Sequence, residues 1–116
     1  MIDITVEKGG TITIAKMGKR VDYDNAITYE ETLVNLLNEG TQNLLLDFSD
    51  TVFLGSAGIR VLLIVAKKIK KSDGMFGLCY TNSNVFEVIK AGGFNKIFQI
   101  FSTREEGMLH FLSPES

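Results

Sequence analysis

The sequence predicts an α/β domain. Its sheet is mixed and mostly parallel, with four to five strands, an N-terminal β-hairpin and about four helices. Three observations carry that prediction. Ile2, Ile4 and Val6 alternate with Asp3, Thr5 and Glu7, the two-residue period of a half-buried strand. Leu44-Leu45-Leu46 and residues 75–80 are short apolar runs bounded by turn residues, as strands covered on both faces are. Segments of helical spacing lie between these runs, and strands that alternate with helices require parallel crossovers.

The elements follow in order. After the first strand, Gly9-Gly10 makes a turn, and Ile12, Ile14 and Lys16 continue as a second strand that Gly18 breaks. A helix then runs to about Glu39, with Ala26, Tyr29, Leu33, Leu36 and Leu37 on one face. Asp22, Asp24 and Asn25 are all suitable caps for its start, and Thr28 with Glu31 resembles a capping box. Gly40 suits the left-handed position after its end. Residues 43–47 form a strand, 48–54 a loop with some extended character, and 56–71 a helix closed by Gly74. A strand over 75–80, a helix over 83–91 ended by Gly92-Gly93, and a short strand over 97–100 come next. The last helix starts at Ser102, where Ser102 and Glu105 match a capping box, and lays Met108, Leu109, Phe111 and Leu112 back on the domain.

Composition narrows the function classes. At 116 residues, the chain reads as one domain spanning 1–116, large enough for a core without staples. Apolar residues make up 45% and charged residues 22%, which excludes disorder. The net charge of -2 gives no nucleic-acid footprint. No run of about 18 apolar residues and no signal peptide is visible, so no membrane insertion is expected. Pro114 is the only proline. Cys79 is the only cysteine, which points to a reducing, cytoplasmic setting.

Catalytic sets are missing from the pattern. His110, the only histidine, lies more than fifty residues after Ser56 and reads as a packing or surface residue. Cys79 sits in an apolar strand, where free cysteine acts as a small hydrophobe. Asp22, Asp24, Asp47 and Asp50 read as two caps and two loop acids in preference to a cation site. No Cys-x-x-Cys, histidine pair, Walker sequence or Gly-x-Gly-x-x-Gly occurs. We therefore expect no enzyme, cofactor or metal.

Gly55-Ser56-Ala57-Gly58, at the start of the central helix, has a different character. Gly55 permits unusual backbone angles, Ala57 and Gly58 keep the turn uncrowded, and Ser56 is placed as N-cap. A helix N-terminus carries free N–H donors and partial positive charge, so an anion on Ser56 is tolerated there. Projected at about 100° per residue, Ile59, Leu62, Leu63, Ala66 and Ile69 form the core face. Arg60, Val61, Ile64, Lys67, Lys68 and Lys71 fall opposite. Val61 and Ile64 thus read as apolar residues among cations, a candidate protein-contact surface.

At these residues the chain resembles the STAS domain family, most of all the bacterial anti-sigma factor antagonists. The family has a buried strand ending in Asp, a short loop, then Asp-Ser-Ser/Thr-Gly and an apolar helix. The matching segments are Leu44-Leu45-Leu46-Asp47-Phe48-Ser49 and Phe53-Leu54-Gly55-Ser56-Ala57-Gly58-Ile59. Gly18-Lys19-Arg20-Val21-Asp22 with Ala26 is similar to the family's lead into its first helix. Ala91-Gly92-Gly93-Phe94-Asn95-Lys96-Ile97-Phe98 is similar to its late Gly-Leu-x-x-hydrophobic-Phe stretch. The resemblance implies a STAS-like domain whose phosphoacceptor is Ser56. It implies two partners: an anti-sigma factor with serine kinase activity and a serine phosphatase. The partner-binding residues it implies are Asp22, Asp24, Ser56, Arg60, Val61 and Ile64. The family's Asp is Gly55 here and its second Ser/Thr is Ala57, while Asp22 matches an acid near the phospho-site. Two other readings follow from these departures: a STAS subunit that docks without phosphorylation in a lipid-transport or stress-signalling assembly, and a small-ligand or nucleotide sensor. For the latter, no phosphate-gripping lysine stands beside the turn. A monomer or weak dimer is expected, since the hairpin edge is able to pair between chains.

Overall fold

β1 (Ile4–Gly9) and β2 (Ile12–Met17) pair antiparallel, with Ile4 opposite Met17 and Gly9 opposite Ile12. Gly10, in the turn between them, has φ of 60°, a conformation that favours glycine. The computed structural model describes residues 4–112, so the expectations for Ile2, Asp3 and Pro114 fall outside the described residues. β1 does not turn its alternation into burial. It is the edge strand of the sheet, and every residue after Ile4 in it is exposed.

The remaining strands of the main sheet are β4 (Asn43–Asp47), β6 (Met75–Cys79) and β7 (Gln99–Phe101). With β1 and β2 they form five strands in the order β1-β2-β4-β6-β7, and every pairing after the hairpin is parallel. The pleat of β4 divides the core. Leu44 and Leu46 join Ala15, Met17 and Leu78 beneath α1 (Ala26–Asn38), α2 (Ser56–Lys71) and α3 (Ser83–Ala91). Leu45 points to the other face, with Ile12, Ile14, Cys79 and Phe101, where Phe111 of α4 (Arg104–Leu112) covers it. Two further short strands, β3 (Arg20–Val21) and β5 (Phe53–Leu54), pair parallel as a separate small sheet. The sequence gives no periodicity over two residues, so β3 falls within the expected break at Gly18.

The helix bounds agree closely with the expected ones, but several caps do not. α1 starts at Ala26, so Thr28 and Glu31 lie inside it and form no capping box. Instead the Asp22 carbonyl accepts from the Asn25 and Ala26 amides. At its end, Gly40 has φ of 109°, its amide reaches Leu37, and the Thr41 amide reaches Leu36, the paired bonds of a Schellman motif. α4 begins two residues later than expected. Thr103 Oγ1 accepts from the Glu106 amide and Glu106 Oε1 accepts from the Ser102 amide, so the box is shifted by one residue. Of its apolar residues only Phe111 is buried. Leu109 and Leu112 are 67% and 65% exposed, which corrects their expected place on the core. The last strand also moves: Phe94–Lys96 takes a 3-10 turn, Ile97 is exposed, and pairing starts at Gln99.

Gly74 joins α2 to β6 where the chain passes the start of β4. A Cβ there would overlap the carbonyl oxygen of Gln42 and crowd Ile69 Cγ2 at 3.0 Å. The obstacle is backbone, which cannot rotate aside. Gly74→Ala is expected to cost about 2–3 kcal/mol in urea denaturation. An unchanged midpoint would mean that β4 and β6 separate there without penalty.

Candidate functional site

The small β3–β5 sheet builds the site. Val52 and Phe53 amides donate to the Lys19 carbonyl at 2.8 and 3.2 Å, and the Gly55 amide donates to the Val21 carbonyl at 2.9 Å. The loop beneath is held as firmly. Buried Thr51 donates through Oγ1 to the Gly18 carbonyl at 2.7 Å, and Asn82 Nδ2 donates to the Thr51 carbonyl at 2.6 Å. The chain before α1 and the turn before α2 are thereby fixed side by side.

Between them lies a recess of about 410 Å3 lined by Asp22, Asp24 and Ser56 together with Arg20, Tyr23 and Phe53. Ser56 is exposed, and Gly55, not Ser56, is the N-cap. Ser56 is therefore the first helical residue, and its hydroxyl is not spent on capping. Gly55 has φ of -91° and ψ of 175°, extended backbone that any residue adopts, so its expected conformational role is corrected. A Cβ at residue 55 would stand 3.2 Å from the Phe53 ring and 3.8 Å from the Asp22 Cα. The tight neighbour is the Phe53 ring, and the contact to the Asp22 backbone is an ordinary one.

Asp22 is itself engaged. Arg20 Nε donates to its Oδ2 at 3.2 Å, and the Asp24 amide donates to its Oδ1 at 3.1 Å. The Arg20 guanidinium also stacks over the Phe53 ring, 4.4 Å from its centroid. One cation thus stands on the recess that holds Ser56, where sequence reasoning found none. The signal was present but weak: Arg20 and Phe53 are 33 positions apart, and only the β3–β5 register makes them partners. Tyr23, Ile27 and Val52 were also missed. They are 86%, 70% and 54% exposed. With Phe53 they give the surface at this end an apolar component unusual for solvent.

Gly58 sets the orientation of α2. A Cβ on it would lie 2.6 Å from Leu54 Cδ1, 2.8 Å from Val21 Cγ1 and 3.0 Å from the Val21 carbonyl oxygen, so α2 packs there backbone to side chain. The buried face is Gly58, Ile59, Val61, Leu62, Val65 and Ile69. Relative to the expected face this is turned by about 65° at about 100° per residue. Val61 is 2% exposed and belongs to the core, so its assignment to the contact surface is overturned. Arg60 is exposed and Ile64 half-buried, on a flank of α2 away from the recess.

The other candidate residues are accounted for locally. Asp47 is buried at the end of β4. Arg104 Nε donates to its Oδ2 at 2.7 Å, while Arg104 Nη1 reaches Glu7 Oε2 at 2.7 Å. Burial opposes the Asp47 charge, but the Ser49 amide and Arg104 outweigh it and hold the carboxyl below its ordinary range. Asp50 faces Lys16 at 3.4 Å. Burial, aided by the Asp47 charge, pushes the Cys79 thiol up to about 12, which leaves it inert. His110 packs on Phe101 with ring centroids 5.3 Å apart.

Similarity to known proteins extends over most of the chain. The STAS domain family model matches residues 3–107. The chain is 32% identical over 108 residues to a protein of Bordetella bronchiseptica named putative anti-sigma factor antagonist BtrV, covering 93% of each. It is 28% identical over 107 residues to the anti-sigma-F factor antagonist RsfB of Mycobacterium tuberculosis, covering 92% of this chain and 87% of that one. The crystal structure of a putative anti-sigma factor antagonist from Thermotoga maritima superposes with a TM-score of 0.90 at 24% identity, covering 94% of each chain.

Proposed function

This chain belongs to the STAS domain family, and on that premise we propose that it is an anti-sigma factor antagonist switched by phosphorylation of Ser56. Both curated relatives described above carry the antagonist name. The observation that supports the switch is the position of Ser56: exposed, in the first turn of α2, its hydroxyl free of capping duty, on a recess shared with Arg20. No acid occupies the first turn of α2, so its N–H groups and partial positive charge stay available to an anion.

In this reading the unphosphorylated domain acts as a binding protein, not an enzyme, in the cytoplasm. A kinase-type anti-sigma factor docks over Ser56, Asp22, Asp24 and the exposed Tyr23, Val52 and Phe53. The γ-phosphoryl group of the partner's ATP passes to Ser56 Oγ. The new O–P bond forms as the bond to ADP breaks, and the hydroxyl proton goes to a base of the partner. The product carries about -1.5 to -2 added charge. Arg20 and the helix amides hold that charge without unfolding the domain, and the loaded phosphate blocks redocking. A serine phosphatase reverses the step by hydrolysis. Ala57 leaves Ser56 as the one hydroxyl in the Gly55–Gly58 turn.

The test is incubation with the cognate kinase-type anti-sigma factor and ATP, followed by mass mapping. One phosphate on Ser56, absent from Ser56→Ala, is expected. Binding of both unphosphorylated proteins without any phosphate transfer would replace the switch with simple docking.

A further inference from the structure

A second surface lies along α2, away from the Ser56 recess. Arg60, Leu63, Ile64, Lys67 and Lys70 follow the spacing i, i+3, i+4, i+7, i+10 and form one stripe of the helix. The stripe walls a groove of about 560 Å3 whose other side is Phe76 of β6 and Ile97. Ile97 is 60% exposed, and Ile64 and Phe76 are only half-buried. No residue lining the groove is acidic.

The charge on this stripe is unbalanced from within. Five of the chain's twelve cations, Arg60, Lys67, Lys68, Lys70 and Lys71, lie on this 16-residue helix, which contains no acid. Among the described residues, the ion pairs engage Lys8, Lys16, Arg20 and Arg104, and none engages Arg60, Lys67 or Lys70. Lys70, in the last turn, suits the helix C-terminus, whereas Arg60 and Lys67 lie between the end turns and gain nothing comparable from the dipole. A chain of net charge -2 thus presents a local cationic, apolar-floored groove.

We propose that this groove binds an acidic amphipathic helix of a protein partner, separately from the surface around Ser56. Three features select that occupant. Arg60 to Lys70 spans about 15 Å, close to three turns of a docked helix. The apolar floor flanked by cations complements a helix with an apolar stripe and acidic flanks. A bilayer surface is a poorer match, because the apolar atoms line a concavity that a flat interface cannot enter.

The probe is a labelled peptide of about 16 residues, with Leu at helical i, i+3, i+4, i+7 spacing and Glu on both flanks. It is titrated against the full chain, with amide chemical shifts followed by NMR. Binding with a Kd below about 100 μM is expected. Shifts should concentrate at Ile64, Lys67, Phe76 and Ile97, and affinity should fall as salt rises. The double variant Lys67→Glu, Lys70→Glu should weaken binding at least about tenfold with an unchanged circular dichroism spectrum. Ser56→Asp should bind the peptide as the wild type does, which separates this surface from the proposed switch. Equal affinity for a Lys-flanked peptide, shifts confined to the Ser56 recess, or binding to phosphatidylglycerol vesicles in place of the peptide would each overturn the proposal.

Discussion

Ser56→Asp is expected to weaken binding to the kinase-type anti-sigma factor at least about tenfold, near 1.4 kcal/mol, while leaving the domain as stable as the wild type or slightly more so. The two effects have different origins. Within the domain, the new carboxylate falls at the first position of α2, beside amides that lack helical partners and within the recess that holds Arg20. An acid there adds about 0.3–1 kcal/mol, so the melting temperature should stay level or rise by a few degrees. At the interface the same charge shares its recess with the exposed Tyr23 and Phe53. A partner covering those groups would strip water from a carboxylate whose cation on the recess, Arg20, is shared with Asp22. Ser56→Ala removes only a hydroxyl and should bind as the wild type does. Calorimetric titration of the three proteins and their thermal melts test both halves. Equal affinity for all three removes Ser56 from the interface. A lowered melting temperature for Ser56→Asp would show instead that its hydroxyl is structural. Gly55 bears on the same balance. A residue-55 side chain would begin beside the Phe53 ring and the Asp22 backbone, so glycine there adds no further acid to a recess that already holds Asp22 and Asp24.

Most of this architecture was legible because it rests on local chemistry. The runs at Leu44–Leu46 and 75–79, the helical spacing over 26–37, and Gly40 after α1 each carry their own physical signal. What failed were features set by neighbours distant in sequence. β3 and β5 are two residues long, too short to show a period, and exist because Lys19 and Val21 carbonyls meet amides some thirty positions away. That small sheet then fixes two things the sequence could not. It brings Arg20 against Phe53 on the Ser56 recess. It also gives Gly58 a wall of Val21 and Leu54 to press on, which turns α2 and buries Val61. The α2 sequence is apolar around most of its first three turns, so a wheel alone had no polar boundary to choose the face. Ser56 itself was located correctly and its cap misread by one residue. Gly55 and Ser56 are both residue types found at N-caps, and the backbone angles at Gly55 decide between them.

Arg104→Met should cost about 2–3 kcal/mol at neutral pH, and the loss should shrink as the solution is made acid. Arg104 begins α4 and ties three segments together: Asp47 at the end of β4, Glu7 on the edge strand, and the helix that covers the Leu45 face. Its Glu7 contact is solvent-exposed and contributes little, so the weight falls on Asp47, which is 2% exposed. Methionine keeps much of the packing length but leaves the Asp47 charge with Ser49 and no cation. The pH dependence follows from the direction of the Asp47 shift. A carboxyl held below its unfolded value, about 3.9, adds stability above that pH and loses it as pH falls through the folded value. The wild type should therefore lose this contribution on acidification below about pH 4. In Arg104→Met, burial acts without the guanidinium to oppose it, and the Asp47 pKa rises. Protonation then relieves a strain instead of breaking a bond, so the variant has little left to lose. Urea denaturation of both proteins between about pH 7 and pH 3 should give stability curves that converge at the acid end. A constant gap across that range would assign the loss to packing of the Arg104 stem, and Arg104→Lys discriminates further. Lysine restores the charge but not the two-armed geometry, so it should recover part of the neutral-pH stability and keep the convergence.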